Sequence, residues 1–205
     1  MNSKISLLII TLYIMAPVNA WAVTKGDPKA GASKAEPCVA CHGADGNSAN
    51  PEWPKLAGIG GPYIEKQLAH FRDGSRKNAM MNPMAVALSD QDIADLAAHF
   101  SAQKRSPGSA DPKEVTVGER LYRGGNKETG SAACMACHGP SGAGNPAAKY
   151  PALGGQHAAY LATQLKAFRA GERSNDNGSI MRNIAGKLSD SEIQAVASYL
   201  SGLHD

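Results

Sequence analysis

The sequence predicts an all-α protein built from two tandem domains of one kind. Three observations carry that expectation. The 205-residue chain repeats itself once. Each half places apolar residues at helical spacing between cap signatures. No stretch alternates apolar and polar residues as a half-buried strand would.

The repeat is read from matched residues. Val39-Ala40-Cys41-His42-Gly43 aligns with Met135-Ala136-Cys137-His138-Gly139 at an offset of 96. Pro54, Leu56, Gly58, Tyr63, Gln67, Leu68, Phe71, Arg72, Gly74 and Arg76 recur 97 positions later as Pro151, Leu153, Gly155, Tyr160, Gln164, Leu165, Phe168, Arg169, Gly171 and Arg173. Met81, Leu88-Ser89-Asp90, Ile93 and Ala97 recur 100 positions later as Met181, Leu188-Ser189-Asp190, Ile193 and Ala197. The offset changes in Gly/Asn-rich stretches, where loops accept insertions. One duplication of this size makes two domains, not a solenoid.

At the start of the chain, Lys4 precedes the 14-residue run Ile5–Val18, and Ala20-Trp21-Ala22 follows. That run is too short to span a bilayer comfortably and suits the core of a signal peptide, with the Ala-x-Ala segment as its cleavage site. The expected organisation is a cleaved signal peptide over 1–22, an N-terminal domain over 23–104, a linker over 105–115 and a C-terminal domain over 116–205. No other apolar run is long enough to cross a membrane, so an exported protein, soluble or peripherally attached to a membrane, is expected.

In the first half Ile64, Leu68 and Phe71 follow i, i+4, i+7 spacing, as Leu161, Leu165 and Phe168 do in the second. Gly74 and Gly171 stand where these helices would stop. Ser89 with Asp92, and Ser189 with Glu192, form capping signatures for a last helix in each half. Ile93, Leu96, Ala97 and Phe100 make the apolar face of one, and Ile193, Val196, Ala197 and Leu200 that of the other. Between the halves, Arg105-Ser106-Pro107-Gly108-Ser109-Ala110-Asp111-Pro112 reads as a linker. Val117–Tyr122 then opens the second domain as a helix. Arg123–Gly130 is a Gly-rich insertion that the first half lacks, and the sequence assigns it no role.

All four cysteines lie in Cys38-Val39-Ala40-Cys41-His42 and Cys134-Met135-Ala136-Cys137-His138. Cys-x-x-Cys-His is the attachment signature of c-type haem. Two thiols one helical turn apart can form thioethers to two vinyl groups, and the adjacent imidazole reaches the iron. A redox dithiol or half a zinc site would need only the cysteine pair. Disulfides would not explain a histidine directly after each pair. The sequence thus predicts two covalently attached haem c groups, on Cys38 and Cys41 and on Cys134 and Cys137, with His42 and His138 as axial ligands.

Each half also offers a sulfur for the opposite axial position. Met81 lies 39 residues after His42 and Met181 lies 43 after His138, both seven before Leu-Ser-Asp. Thioether ligation raises a haem's reduction potential. Met80 and Met84 compete with Met81, but the repeat pairs them with Ile180 and Ile184, so Met81 is preferred. Pro54 and Pro151 are placed to offer carbonyls to the second nitrogen of each axial imidazole. Arg72, Arg76, Arg169 and Arg173 recur and suit either haem propionates or a solvated face. Tyr63 and Tyr160 are expected as core aromatics, with a hydroxyl in reach of a propionate. His70, His99, His157 and His204 have no counterpart in the other half and are expected at the surface or in packing.

The paired motifs, the Pro-x-Leu-x-Gly segments, the Gln-Leu…Phe-Arg helices and the Met…Leu-Ser-Asp endings resemble the cytochrome c4 family, as does Tyr150-Pro151-Ala152-Leu153-Gly154-Gly155-Gln156-His157-Ala158-Ala159-Tyr160. The resemblance covers nearly all of the chain after residue 22. It implies two class I cytochrome c domains packed face to face about a pseudo-twofold axis, with His/Met ligation in both. It further implies a periplasmic carrier of electrons from quinol-oxidising complexes towards a terminal oxidase, with partners such as a cytochrome bc1 complex and a cbb3-type haem-copper oxidase. The segment Asn78–Met84, crowded with methionines, departs most from the family pattern.

Six-coordinate iron suits an electron-transfer protein and not an enzyme. A dihaem peroxidase would need a labile sixth position. A haem subunit of a larger dehydrogenase or oxidase complex is the other reading. Charge excludes little else. Residues 23–104 hold nine basic and nine acidic side chains, and 105–205 hold eleven and nine, so no nucleic-acid-binding patch is present. The neutral first half predicts the lower reduction potential for its haem.

Overall fold

The computed structural model describes residues 25–204. The signal peptide expected over 1–22 lies outside them. Among the described residues there are helices and loops but no β-strand; two isolated bridges, Asn126↔Ser131 and Asn145↔Tyr150, are the only extended pairings.

The first half holds α1 (Pro28–Lys34), α2 (Glu36–His42), α3 (Gly61–Arg72), α4 (Met81–Ala85) and α5 (Asp90–Ser101). The second holds α6 (Pro112–Gly124), α7 (Met135–His138), α8 (Ala158–Ala170), α9 (Ile180–Ala185) and α10 (Asp190–Gly202). In each half the opening helix crosses the closing one, α1 on α5 and α6 on α10. The crossing needs a glycine. A Cβ on Gly31 would stand 2.0 Å from the Asp95 carbonyl oxygen, and one on Gly118 would stand 2.3 Å from that of Ala195. Backbones this close leave no room for a side chain.

The first core gathers Ala35, Ile59, Ile64, Leu96, Ala97 and Phe100; the second is built around Tyr122, Leu161, Ile193, Val196 and Leu200. α5 and α10 begin as the sequence predicts. Ser89 Oγ accepts the Asp92 N–H at 3.1 Å while the Asp92 carboxylate accepts the Ser89 N–H at 3.0 Å, and Ser189 with Glu192 repeats the arrangement at 3.2 and 2.8 Å. Each cap of this kind contributes about 1 kcal/mol.

Arg72 and Arg169 act in the fold. Arg72 donates to the Leu88 carbonyl at 2.8 Å and to Asp90 at 2.6 Å; Arg169 donates to the Leu188 carbonyl at 2.9 Å and to Asp190. Both tie the α3 or α8 helix to the start of the closing helix.

Two boundaries differ from the sequence reading. α1 has no predicted counterpart, and α6 begins at Pro112, inside the segment 105–115 expected as linker. Asp111 caps α6 by accepting the Lys113 N–H at 2.9 Å, and Pro112 takes the first helical position, where its missing N–H costs nothing. The insertion Arg123–Gly130 also acquires a place. Asn126 donates to Glu192 at 2.7 Å and Lys187 donates to the Gly130 carbonyl at 2.8 Å, pinning the insertion against the start of α10. No helix among the described residues is long and apolar enough to cross a membrane.

Candidate haem sites

Each Cys-x-x-Cys-His motif ends a helix, and the histidine is its last residue. Gly43 and Gly139 follow at φ 82° and 80°, a backbone that a side chain would strain, so the chain turns away directly after the imidazole. The four cysteines are half-buried and form no disulfide. Burial raises the Cys38 thiol, and raises that of Cys134 to about 11.

His42 and His138 are buried, and each places Nδ1 2.9 Å from a carbonyl oxygen, that of Pro54 and that of Pro151. A carbonyl only accepts, so Nδ1 carries the proton and Nε2 presents its lone pair. Burial pushes both imidazoles below their ordinary pKa, against the opposing pull of the carbonyl. A neutral, oriented imidazole is what metal ligation requires.

In the second half the four predicted residues line one apolar cavity: Cys134, Cys137, His138 and Met181, with Leu161, Leu165, Phe168, Ile184 and Leu188. Tyr63, Lys66, Gln67 and Ile59 of the first half also border it. In the first half Cys38 packs with Leu56, Tyr63, Leu68 and Leu88 around the core. Met81 opens α4, which lies against α3. Of the three clustered methionines, Met80 is 56 % exposed and Met84 45 %, while Met81 is half-buried.

Between the halves lies a cluster in which repeat-related residues exchange partners. Arg76 donates to Tyr160 at 3.2 Å and Gln164 at 2.9 Å; Arg173 donates to Tyr63 at 2.9 Å and Gln67 at 3.1 Å. Each guanidinium also donates to the glutamine of its own half, at 2.8 Å for Gln67 and 2.7 Å for Gln164. Each lies over its own phenylalanine, Arg76 4.5 Å from the centroid of Phe71 and Arg173 4.4 Å from that of Phe168. This mutual exchange is the signature of a pseudo-twofold axis. Burial works to raise the Tyr63 phenol, and Arg173 and Arg76 outweigh it, holding it below the usual tyrosine value. Among the described residues neither Arg76 nor Arg173 pairs with a carboxylate. Two shielded cations without an anion fit the propionates of bound haem.

A second contact sits at the linker. Arg105 donates to the carbonyls of Ala57, Ala152 and Gly154 at 2.9, 3.1 and 2.9 Å. Burial lowers its pKa to about 10. Lys55, lowered by burial and then by Arg105, donates to Ser106 and Gly155 carbonyls at 2.8 and 3.1 Å. Gln156, 1 % exposed, accepts the Lys55 N–H at 2.9 Å and donates to the Lys55 carbonyl at 2.9 Å. His157 reaches the Ser48 carbonyl at 2.9 Å and His70 meets Asn175 at 2.9 Å, so both serve the domain contact. The recurrence of Tyr63, Gln67 and Arg76 marked them as paired, but nothing in the sequence said that they bond across the halves. Lys55 and Gln156 align with Ala152 and Ile59, so no repeat signal pointed to them.

Fold and sites together define a duplicated, all-α, haem-binding electron carrier. The cytochrome c family profile matches residues 29–103 and 118–204. The chain is 50% identical over 198 residues to cytochrome c4 of Pseudomonas aeruginosa, covering 96% of this chain and 98% of that one. The crystal structure of reduced recombinant cytochrome c4 from Pseudomonas stutzeri superposes with a TM-score of 0.85 at 51% identity, covering 87% of this chain and all of the other (100%). A thiosulfate dehydrogenase electron acceptor of Stutzerimonas stutzeri is 43% identical over 170 residues, 81% of this chain and 78% of that one. The chain belongs to the cytochrome c4 family and carries two covalent haem c groups.

Proposed function

We propose that the protein is a periplasmic electron carrier with His42 and Met81 on one iron and His138 and Met181 on the other. The observation that carries this reading is the single apolar cavity lined by Cys134, Cys137, His138 and Met181. The half-buried setting of Met81 between exposed Met80 and Met84 supports the same assignment in the first half. The haem iron supplies a one-electron couple. The chain's residues hold it: the cysteines anchor the ring, the proline carbonyls fix the imidazoles, and the apolar walls exclude water. Arg76 and Arg173 offer charge to the propionates. With both axial positions filled, the oxidation state changes with little rearrangement. The residue division 23–104, 105–115 and 116–205, and a leader removed after residue 22, belong to this reading.

The route of electrons runs from a quinol-oxidising complex, such as cytochrome bc1, to a terminal oxidase of cbb3 type. A second route is supported by the likeness to thiosulfate dehydrogenase electron acceptors. Two measurements test the whole. Intact mass of the exported protein should exceed the chain by two haems. An optical redox titration should give two low-spin couples that do not bind carbon monoxide rapidly; rapid binding by the native reduced protein would return the peroxidase reading. Turnover with purified bc1 complex, compared with thiosulfate dehydrogenase, separates the two routes.

A further inference from the structure

Each proposed axial histidine is held by a peptide group whose other end bonds into the opposite domain. The Pro54 carbonyl accepts from His42 Nδ1 at 2.9 Å, and the N–H of that same peptide unit, Lys55 N, donates to Gln156 Oε1 at 2.9 Å. On the other side the Pro151 carbonyl accepts from His138 Nδ1 at 2.9 Å, and the N–H of its peptide unit, Ala152 N, donates to the main-chain carbonyl of Ile59 at 3.1 Å. A peptide is conjugated, so a bond accepted from its N–H shifts charge onto its oxygen and makes that oxygen the better acceptor. A stronger bond from Nδ1–H gives the imidazole more anionic character, which favours ferric iron and lowers the potential.

We propose that Gln156 is a positioning residue of the second domain that lowers the reduction potential of the haem in the first, while the Ile59 carbonyl of the first domain likewise lowers that of the haem in the second. The proposal rests on His42 and His138 being the axial ligands. The amide of Gln156 is held in one orientation. Its Oε1 accepts two main-chain N–H groups, from Lys55 at 2.9 Å and His157 at 3.0 Å, and its Nε2 donates to the Lys55 carbonyl at 2.9 Å. Exchanging oxygen and nitrogen would set donor against donor. The two halves thus solve the same problem differently, one with a side chain and one with main chain. Only the first is open to substitution.

The test is Gln156→Met, which keeps length and loses the acceptor, read by potentiometry with assigned haems and by the proton signal of each histidine Nδ1–H. The potential of the first-domain haem should rise and the His42 Nδ1–H signal should shift, with the second-domain haem and His138 unchanged. A purely structural role would move the second-domain haem, whose own loop contains Gln156, or move both; either result overturns the proposal. Gln156→Glu keeps an oxygen acceptor and adds charge, so it should move the first-domain potential down. If Gln156→Met does not yield dihaem protein, this variant decides, and a first-domain potential that stays or rises overturns the proposal. Wild-type protein lacking two low-spin, histidine-ligated haems would overturn the ligand assignment and the proposal together. Wild-type protein showing both, with Gln156→Met indistinguishable from it, would overturn the relay alone.

Discussion

Met81 carries the assignment that single substitutions test most directly. Met81→Ile should remove the soft ligand from the first-domain iron and lower that potential by a sizeable part of the ~0.8 V that axial ligands span. It should also open the iron to carbon monoxide. Met80→Ile and Met84→Ile install the residues found at Ile180 and Ile184 in the second half and should leave both potentials in place. A redox titration of the three variants checks this, and loss of the methionine signature in Met84→Ile instead would move the ligand. At this scale the motif histidines were legible from the fixed Cys-x-x-Cys-His spacing, and their proline carbonyls from the repeat, 12 and 13 residues further on. Lys55, Arg105 and Gln156 were not, since a buried cation satisfied by main-chain carbonyls leaves no pattern in sequence. Arg76 was legible as a recurring cation, open between a propionate and a solvated face, but not as a bridge between domains.

At the scale of helices, α5 and α10 were readable because a capping pair precedes a clear apolar face. α1 was not. Its sequence Pro-Lys-Ala-Gly-Ala-Ser-Lys has no apolar stripe, because it packs by close backbone approach at Gly31. Asp95 anchors it, accepting from the Asp27 N–H at 2.8 Å and Lys34 at 2.7 Å. The start of α6 was hidden for a different reason: Pro112 reads as a linker residue when it is the first residue of a helix. Gly118→Ala should destabilise the second domain by about 1–3 kcal/mol, the range for forcing extra atoms into a packed contact. Thermal unfolding of the holoprotein measures it. A neutral result would mean that the α6–α10 crossing relaxes freely.

For the molecule as a whole, the two haem environments are not independent. Arg76 and Arg173 place two positive charges between them, and positive charge favours ferrous iron. Arg76→Gln with Arg173→Gln should therefore lower both potentials and loosen the domain contact, seen by redox titration and small-angle scattering. Unchanged potentials in a loosened protein would assign the cluster to packing alone. The formal charges, neutral for residues 23–104 and +2 for 105–205, still set the expected order, with the first-domain haem lower.

The exchange of partners among Tyr63, Gln67 and Arg76 and their counterparts Tyr160, Gln164 and Arg173 has a consequence for ancestry and assembly. That cluster is isologous: each half carries both members of its Arg–Tyr and Arg–Gln contacts, so two copies of a single-haem domain would already hold this part of a homodimer interface. Tethering them by a short linker replaces a concentration-dependent encounter with an effective concentration on the order of millimolar. Duplication could then preserve the old interface intact while freeing single positions, such as Gln156 opposite Lys55, to diverge.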